Sequence, residues 1–412
     1  MTVGCVGENY NTAHKITVGT RKNTLPQVLL ILLAFCEKNI VRYAIYALSM
    51  VPVIGVLSDY LLAFLYVSLI LMCIGRKTKV GAAELIVPTF VIMAIAFTCV
   101  VYPQNTQYIM EHNNFWNTIF PCLRWFIVGL IVIPDKELMT LLGKVSCIAI
   151  ALETAYLLFY MIPNGLISND DMSRAYQLLP NIMIAFTYAF NSKKIVIWIA
   201  SIIGLLYLLS LGTRGPFLIL LAYVVLKFVR TSVVTTRRKV TFVLGVSLVG
   251  LLISIPGVYI AMLNGLHVLL TKIGLSTRII DYMIEGTTIS YTSGREDLYE
   301  VAFQKIAERP FLGYGVYGEW QWFNWNVHNM YLELWIHFGI LLGSFLLIWS
   351  AWLVGKAYLK TNNTYAKDII LIFSCFVFLR GFFGGSYLMF GVFFLIGFCI
   401  KENRRIRRQV QI

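Results

Sequence analysis

Long apolar runs alternate with short polar segments along the whole chain. Each run is long enough to cross a bilayer as a helix, which needs about 20 mainly apolar residues. The alternating pattern of membrane β-barrel strands is absent. We therefore predict an all-α polytopic membrane protein with about 12 transmembrane helices. The runs fall near residues 40–57, 59–75, 83–103, 118–133, 139–162, 177–191, 195–211, 215–229, 240–262, 328–354, 368–384 and 386–400.

The run at 25–37 is too short for a regular span, so we interpret it as interfacial or re-entrant. Lysine and arginine concentrate in loops that share one side when the spans alternate, which predicts that this side is cytoplasmic. The tails at 1–24 and 401–412 belong to it. The loops at 104–117, 163–176 and 263–327 have few basic residues for their length and are predicted to face outward. Residues 1–412 form one integral membrane domain in this interpretation.

Composition agrees with the pattern. The chain is 58% hydrophobic and only 13% charged, whereas soluble domains have about a quarter charged residues. The net charge of +14 is explained by the basic loops, so we predict a lipid bilayer and no nucleic acid as partner. The eight cysteines show no CxxC spacing, which indicates small core residues without metal or redox function.

The loop at 263–327 is the one long polar segment between apolar runs. Within it, Ser293 and Glu296 have the spacing of a capping box. Apolar positions then recur at helical spacing until Pro310. We predict a short amphipathic helix over 295–308, lying on the membrane or over a cavity.

Arginines at the predicted outer face are candidates for binding an anion. Arg214 lies between Gly212 and Pro216, where a helix start adds its N–H groups to the guanidinium. Arg295 lies in the first turn of the predicted loop helix, where the dipole disfavours a cation unless an anion joins both. Structural alternatives remain open for both: Arg214 as a snorkelling residue and Arg295 as a solvated loop residue.

Further candidates lie at the entrance of the 328–354 span. Asn329, Glu333 and His337 recur every four residues after His328, which places a polar stripe on one helix face. Ionisable groups within a span are functional candidates by default. His328 as an ordinary interfacial hydrogen-bonding residue is the alternative.

Three more arginines lie at similar predicted depth or on an outer loop: Arg124, Arg174 and Arg380. Their convergence on one cavity would suit a phosphorylated substrate. An aromatic cluster precedes His328 and either forms an interfacial belt or stacks on sugar rings, with Trp325 as the candidate for stacking. No HExxH, P-loop or GxSxG pattern is present. We therefore expect no metal site and no cofactor.

Several of these motifs together resemble the O-antigen ligase and O-antigen polymerase superfamily of bacterial membrane glycosyltransferases. Thr213-Arg214-Gly215 is similar to that family's arginine motif at the end of a span, and Arg174 with Pro180-Asn181 resembles another recurring element. The resemblance covers roughly 170–345. The remaining motifs are Ser293-Gly294-Arg295, Pro310-Phe311-Leu312-Gly313-Tyr314-Gly315, His328-Asn329 with Tyr331-Leu332, and Phe338-Gly339-Ile340 with Gly343.

The resemblance implies a GT-C-like, metal-independent inverting glycosyltransferase of the bacterial cytoplasmic membrane, with both termini cytoplasmic. Its donor is a glycan on undecaprenyl pyrophosphate. Arg214 and Arg295 would bind the pyrophosphate, while His328 would orient or deprotonate the acceptor or bind phosphate. At His337 the chain departs from the family's usual acidic residue. Expected partners include a chain-length regulator and a flippase of the same pathway.

Three functions stay open at this point. A polymerase adds the glycan to a lipid-linked acceptor, and a ligase adds it to a lipid A core. A lipid-linked oligosaccharide flippase or transporter makes no bond, but transporters often have discontinuous helices and repeated halves, which the sequence does not show clearly. Polymerase is our first interpretation.

Overall fold

The computed structural model describes residues 24–37, 40, 62, 64–73, 82–110, 118–164, 172–192, 194–211, 214–230, 256–272, 274–275, 277, 280–281, 284 and 295–410. Every secondary-structure element among them is helical. The predicted span at 40–57, the N-terminal tail and the capping residue Ser293 lie outside these residues.

The twelve longest helices of the described residues are numbered in chain order. They are α1 (Leu25–Cys36), α2 (Ala82–Val101), α3 (Phe120–Ile131), α4 (Lys136–Tyr156), α5 (Met172–Ser192), α6 (Ile195–Ser210), α7 (Arg214–Arg230), α8 (Pro256–Lys272), α9 (Arg295–Glu308), α10 (Met330–Lys360), α11 (Thr364–Ser374) and α12 (Phe390–Val410).

Three described helical segments are long and apolar enough to cross a membrane: Glu84–Val101, Lys136–Met161 and Met330–Lys360. Shorter apolar helices accompany them, among them Phe64–Cys73 and Ile195–Ser210. The all-helical, membrane-type fold is therefore confirmed. The count of 12 spans and the GT-C-like arrangement remain predictions.

Helix α9 has the predicted bounds, and its end at Glu308 fits the stop expected before Pro310. Two helices extend past the predicted apolar runs. Helix α8 continues to Lys272, into the segment predicted as the outer loop, because apolar residues recur up to the turn at Gly274. Helix α12 continues to Val410, so the predicted tail from 401 is helical.

Contacts among charged residues extend α12 beyond the apolar run. Arg404 Nη1 forms an ion pair with Glu84 at 2.6 Å, and Lys401 Nζ donates to the carbonyl of Ile131 at 2.7 Å. These partners fix two turns of a basic helix that hydropathy cannot detect. They also bring together ends of α2, α3 and α12 that the sequence assigned to one membrane side.

A buried ion-pair network joins α7 and α11 at ends that the sequence also assigned to that side. Asp368 accepts from Lys227 Nζ at 2.7 Å and from Arg230 Nη1 at 3.2 Å. The side chains of Asp368 and Lys227 are only 5% and 6% exposed. Burying a charge is costly unless it is paired, so this network fixes how the two helices meet.

An aromatic cluster fills the centre of the helical assembly between α1, α3, α11 and α12. The rings of Phe35 and Trp125 meet edge to face with centroids 5.2 Å apart, and Phe373 and Phe394 lie 4.2 Å apart. Edge-to-face and tilted pairs of this kind are favoured by the ring quadrupoles. This packing holds α1, α3, α11 and α12 together.

Candidate functional site

The segment after α9 docks against a break in α10. Gly339 has φ 75° and ψ 169° inside an otherwise helical stretch. The break frees the carbonyl of Ile336, which accepts a hydrogen bond from the Tyr314 N–H at 2.7 Å. On the other side of the break, the Ile340 N–H donates to the carbonyl of Pro310 at 2.7 Å. The loop thus satisfies backbone groups that a membrane interior cannot hydrate.

Glycine is required where these two segments meet. Gly313 has φ 64°, and a Cβ there would overlap the carbonyl of Ile336. A Cβ on Gly339 would overlap the carbonyl of Phe311. Two motifs that the sequence presents separately are therefore the two halves of one contact.

A buried polar cluster lies beside this contact. His337 Nε2 makes a short hydrogen bond with Glu319 Oε2, and its Nδ1 lies 2.8 Å from Tyr387 Oη. Glu333 accepts from Ser386 Oγ at 2.7 Å and from the Tyr387 N–H at 3.2 Å. The loop, α10 and the segment before α12 are joined here.

The predicted polar stripe of α10 is only partly present in this cluster. Glu333 and His337 enter it, but Asn329 caps the helix, its Oδ1 accepting from the N–H groups of Tyr331 at 3.0 Å and Leu332 at 3.3 Å. Sequence reasoning missed Glu319. A lone acidic residue inside an aromatic stretch is the signal that could have identified it.

Arg380 lies where α5, α7 and the short helix Arg380–Phe383 meet. Its Cζ lies 4.3 Å from the centroid of the Tyr176 ring, and its Nε is buried without a hydrogen-bond partner among the described residues. Tyr176 Oη donates to the carbonyl of Phe383 at 3.1 Å. A Cβ on Gly215 would overlap Tyr176 Oη, so the start of α7 lies directly against this tyrosine.

The geometry therefore brings the helix start that contains Arg214 close to Arg380. The described part of α7 includes Arg214 and Gly215 ahead of Pro216, a position where proline is tolerated. No described carboxylate lies within ion-pair distance of Arg380. A cation placed in this way favours an anionic ligand.

The start of α10 packs on the same short helix. The ring of Tyr331 lies 4.3 Å from that of Phe382, and Tyr331 Oη donates to the carbonyl of Phe378 at 2.9 Å. A Cβ on Gly381 would come within 2.9 Å of Met330 Cε. His328 precedes α10 by two residues, and the start of α10 contacts the short helix that begins with Arg380.

His328 has a left-handed backbone and an exposed side chain. Its φ is 57°, a value that few non-glycine residues adopt and that is enriched at functional sites. This conformation turns the chain immediately before the cap at Asn329, and the side chain is exposed.

Helix α9 lies along the first turns of α10. Arg295 is the first residue of α9, and the end of this helix leads into the segment docked at Gly339. The side chains of Arg214 and Arg295 lie outside the described residues, so their placement rests on these helix starts. Helix α9, the docked loop and α10 pack together through one apolar cluster, formed by Ala302, Ile306, Tyr314, Val327, Leu332 and Ile336.

Arg124 is not among the residues that meet around Tyr176. Its Nη2 forms an ion pair with Glu37 at 2.5 Å, and its Cζ lies 3.9 Å from the centroid of the Tyr66 ring. Its partner Glu37 borders a small cavity that Gln177 and Asn181 also line. This pair joins α3 to the end of α1.

Arg174 and Trp325 lie at the edges of the site. The sequence placed Arg174 on an outer loop, but helix α5 begins at Met172 and includes it. The Cζ of Arg174 lies 5.0 Å from the centroid of the Tyr156 ring. Trp325 is 57% exposed. Trp320 instead donates from Nε1 to Asn326 at 3.0 Å, so the aromatic cluster is partly structural.

Two titratable groups of the loop form a second polar contact near the docked segment. Hydrogen bonds from Lys305 and Tyr314 hold the pKa of Glu308 below its usual range. Burial, together with the hydrogen bond to Glu308, raises the pKa of Tyr314 to about 12. Both groups therefore keep their ordinary charge states at neutral pH, with Glu308 ionised and Tyr314 neutral.

Comparison with known proteins agrees with this geometry. No curated protein and no solved structure matches the chain. Residues 199–348 match the family model described as O-antigen ligase. The matched segment contains α7, α9, the docked loop and the first part of α10. Over these residues the chain is similar to the O-antigen ligase family.

Proposed function

We propose that the protein transfers a glycan from undecaprenyl pyrophosphate to a lipid-linked acceptor at the outer leaflet, the reaction of a surface-polysaccharide polymerase. The observation that carries the proposal is Arg380 beside the start of α7, within a chain that matches the O-antigen ligase family. The proposed location is the bacterial cytoplasmic membrane, with both termini cytoplasmic. A chain-length regulator and a flippase are the proposed protein partners.

In the proposed reaction, the acceptor hydroxyl oxygen forms a bond to the anomeric carbon of the donor. The bond from that carbon to the pyrophosphate breaks, and the pyrophosphate leaves with the electron pair. Negative charge thus develops on the leaving group, where fixed cations are most effective. Arg214, Arg295 and Arg380 are proposed to bind it, since guanidinium groups bind phosphate oxygens in a bidentate manner.

His328 is proposed to act on the acceptor. The hydroxyl proton must leave as the new bond forms, and an imidazole can accept it near neutral pH. Its exposed side chain on a strained backbone supports this role. Trp325, which is exposed beside it, is proposed to stack on a sugar ring. No metal or cofactor takes part in the proposed transfer step.

The ligase reaction is the second candidate because the matched family carries that description. Both reactions use the same donor and release the same pyrophosphate. They differ only in the acceptor, which is a lipid-linked glycan for a polymerase and a lipid A core for a ligase. The shared motifs do not separate them.

The test uses purified full-length protein in liposomes with a fluorescent lipid-linked repeat unit. Extension to longer lipid-linked chains is the result expected for a polymerase. Parallel liposomes contain lipid A core as well, and labelling of the core would replace our first assignment by a ligase. Movement of the unit across the bilayer without a new bond would identify a flippase and contradict the enzyme proposal.

A further inference from the structure

The cluster of Glu319, Glu333 and His337 offers two carboxylates and one imidazole at one buried point. One donor atom from each residue lies within 4.8 Å of the others. The three residues are 0%, 1% and 1% exposed. Carboxylate and imidazole donors together form many binding sites for divalent transition metals.

Separate parts of the fold position these donors. Glu333 and His337 are one helical turn apart, so α10 presents both on one face. Glu319 comes from the loop that docks on the break of α10. The break itself fixes this loop, because the Gly315 N–H donates to the carbonyl of His337 at 3.0 Å. The donors therefore meet only when the loop is docked.

Each helix donor also has an outer hydrogen bond of the kind that orients metal ligands. The free ring nitrogen of His337 lies 2.8 Å from Tyr387 Oη. Glu333 accepts from Ser386 and from the Tyr387 N–H. Metal-binding histidines and carboxylates are generally oriented by such partners.

Two carboxyl groups face one imidazole in this cluster, and no described lysine or arginine forms an ion pair with Glu319 or Glu333. Moreover, Glu319 Oε1 is fully buried and has no hydrogen-bond partner among the described residues. Buried charges are generally paired or coordinate a metal.

We propose that this cluster binds one divalent transition-metal ion, such as Mn²⁺ or Zn²⁺, through Glu319, Glu333 and His337 Nε2. Ligand bonds of about 2.0–2.2 Å would gather the donors with little movement. The ion replaces the proton shared between Glu319 and His337, so its binding releases a proton. It ties the docked loop to α10. The inference does not depend on the proposed transfer reaction.

The test measures metal directly, on full-length protein whose purification tag has been removed. Protein stripped with a chelator is titrated with MnCl2, ZnCl2 or MgCl2, and bound metal is counted by mass spectrometry. We expect about one equivalent of Mn²⁺ or Zn²⁺ per chain, release of protons in weak buffer and a higher melting temperature. Glu319→Gln and Glu333→Gln should lose the bound metal.

Glu308→Gln is the matched control, because Glu308 is an exposed carboxylate of the same region and should leave metal binding unchanged. If the cluster variants do not fold, the wild-type titration decides alone. Stripped wild-type protein that binds no stoichiometric metal, with no change in melting temperature, would overturn the proposal and leave a proton-sharing network. Undiminished binding by both folded cluster variants would overturn it as well. Glycan transfer is not measured, so failure here is distinct from failure of the proposed function.

Discussion

At the scale of single residues, His328 combines an exposed imidazole with a backbone conformation suited to glycine. A left-handed conformation costs a non-glycine residue about 1–2 kcal/mol. Asn324, four residues earlier, has almost the same φ of 56°. The two positions therefore allow the side-chain role of His328 to be separated from its backbone.

His328→Gly should lose glycan transfer while unfolding no more readily than wild type, because glycine relieves the backbone and removes the proposed base. His328→Ala should lose transfer and also stability. Elongation assays and melting temperatures measure the two effects. Asn324→Gly is the control and should keep transfer. Wild-type transfer by His328→Gly would show that the imidazole has no part in the reaction.

At the scale of elements, the contact between the docked loop and the break in α10 brings Glu319 to His337 and supports the start of α10. The carbonyls freed at the break accept hydrogen bonds from the loop. Without this contact, α10 would have unsatisfied backbone groups and the start of α10 would lose its support. The contact should therefore be sensitive to a single added methyl group.

Gly339→Ala should destabilise the protein by about 1–3 kcal/mol from backbone strain alone, with further loss from overlap with the Phe311 carbonyl. Gly355→Ala on the same helix is the control, since no atom lies near its Cβ position and alanine favours helix by about 0.5–1 kcal/mol. Melting temperatures in one detergent compare them. Equal stability of the two variants would argue against the docked contact.

The ion-pair network of α7 and α11 offers a second test at this scale. Asp368→Asn should cost about 3–5 kcal/mol, because removing the carboxylate of a buried pair takes away the ion pair that offsets the burial of Lys227. Denaturant unfolding of the purified protein measures the change. Asp297→Asn, at an exposed position of α9, is the control. A change no larger than that of the control would contradict the pairing.

At the scale of the whole molecule, hydrophobic periodicity and the stop at Pro310 give the class of fold and the end of α9. Local patterns suffice for these features because a helix start, an apolar face and Pro310 act within a few residues. Hydropathy fails where charged residues continue a helix, as Arg404 does by pairing with Glu84. Such pairing depends on distant partners and leaves no local pattern.

The candidate site divides in the same way. Arg214, Arg380 and His328 are conspicuous in the sequence because charged residues are rare near apolar runs. Packing of Gly215 against Tyr176, and of the start of α10 against Phe382, brings together the helix ends that contain or follow them, which no spacing reveals. Glu319 was missed for the same reason, since only the docked loop brings it to His337.

The central claim is that outer-face arginines bind the pyrophosphate leaving group of one reaction. The direct measurement is the release of undecaprenyl pyrophosphate by liposome-reconstituted variants that remain folded. Arg214→Ala, Arg295→Ala and Arg380→Ala should each lower the rate by about 10²–10³-fold, as removal of a transition-state donor does. Arg309→Ala, which removes an exposed arginine near Tyr314, should release it at about the wild-type rate. Wild-type rates in all three arginine variants would contradict the claim.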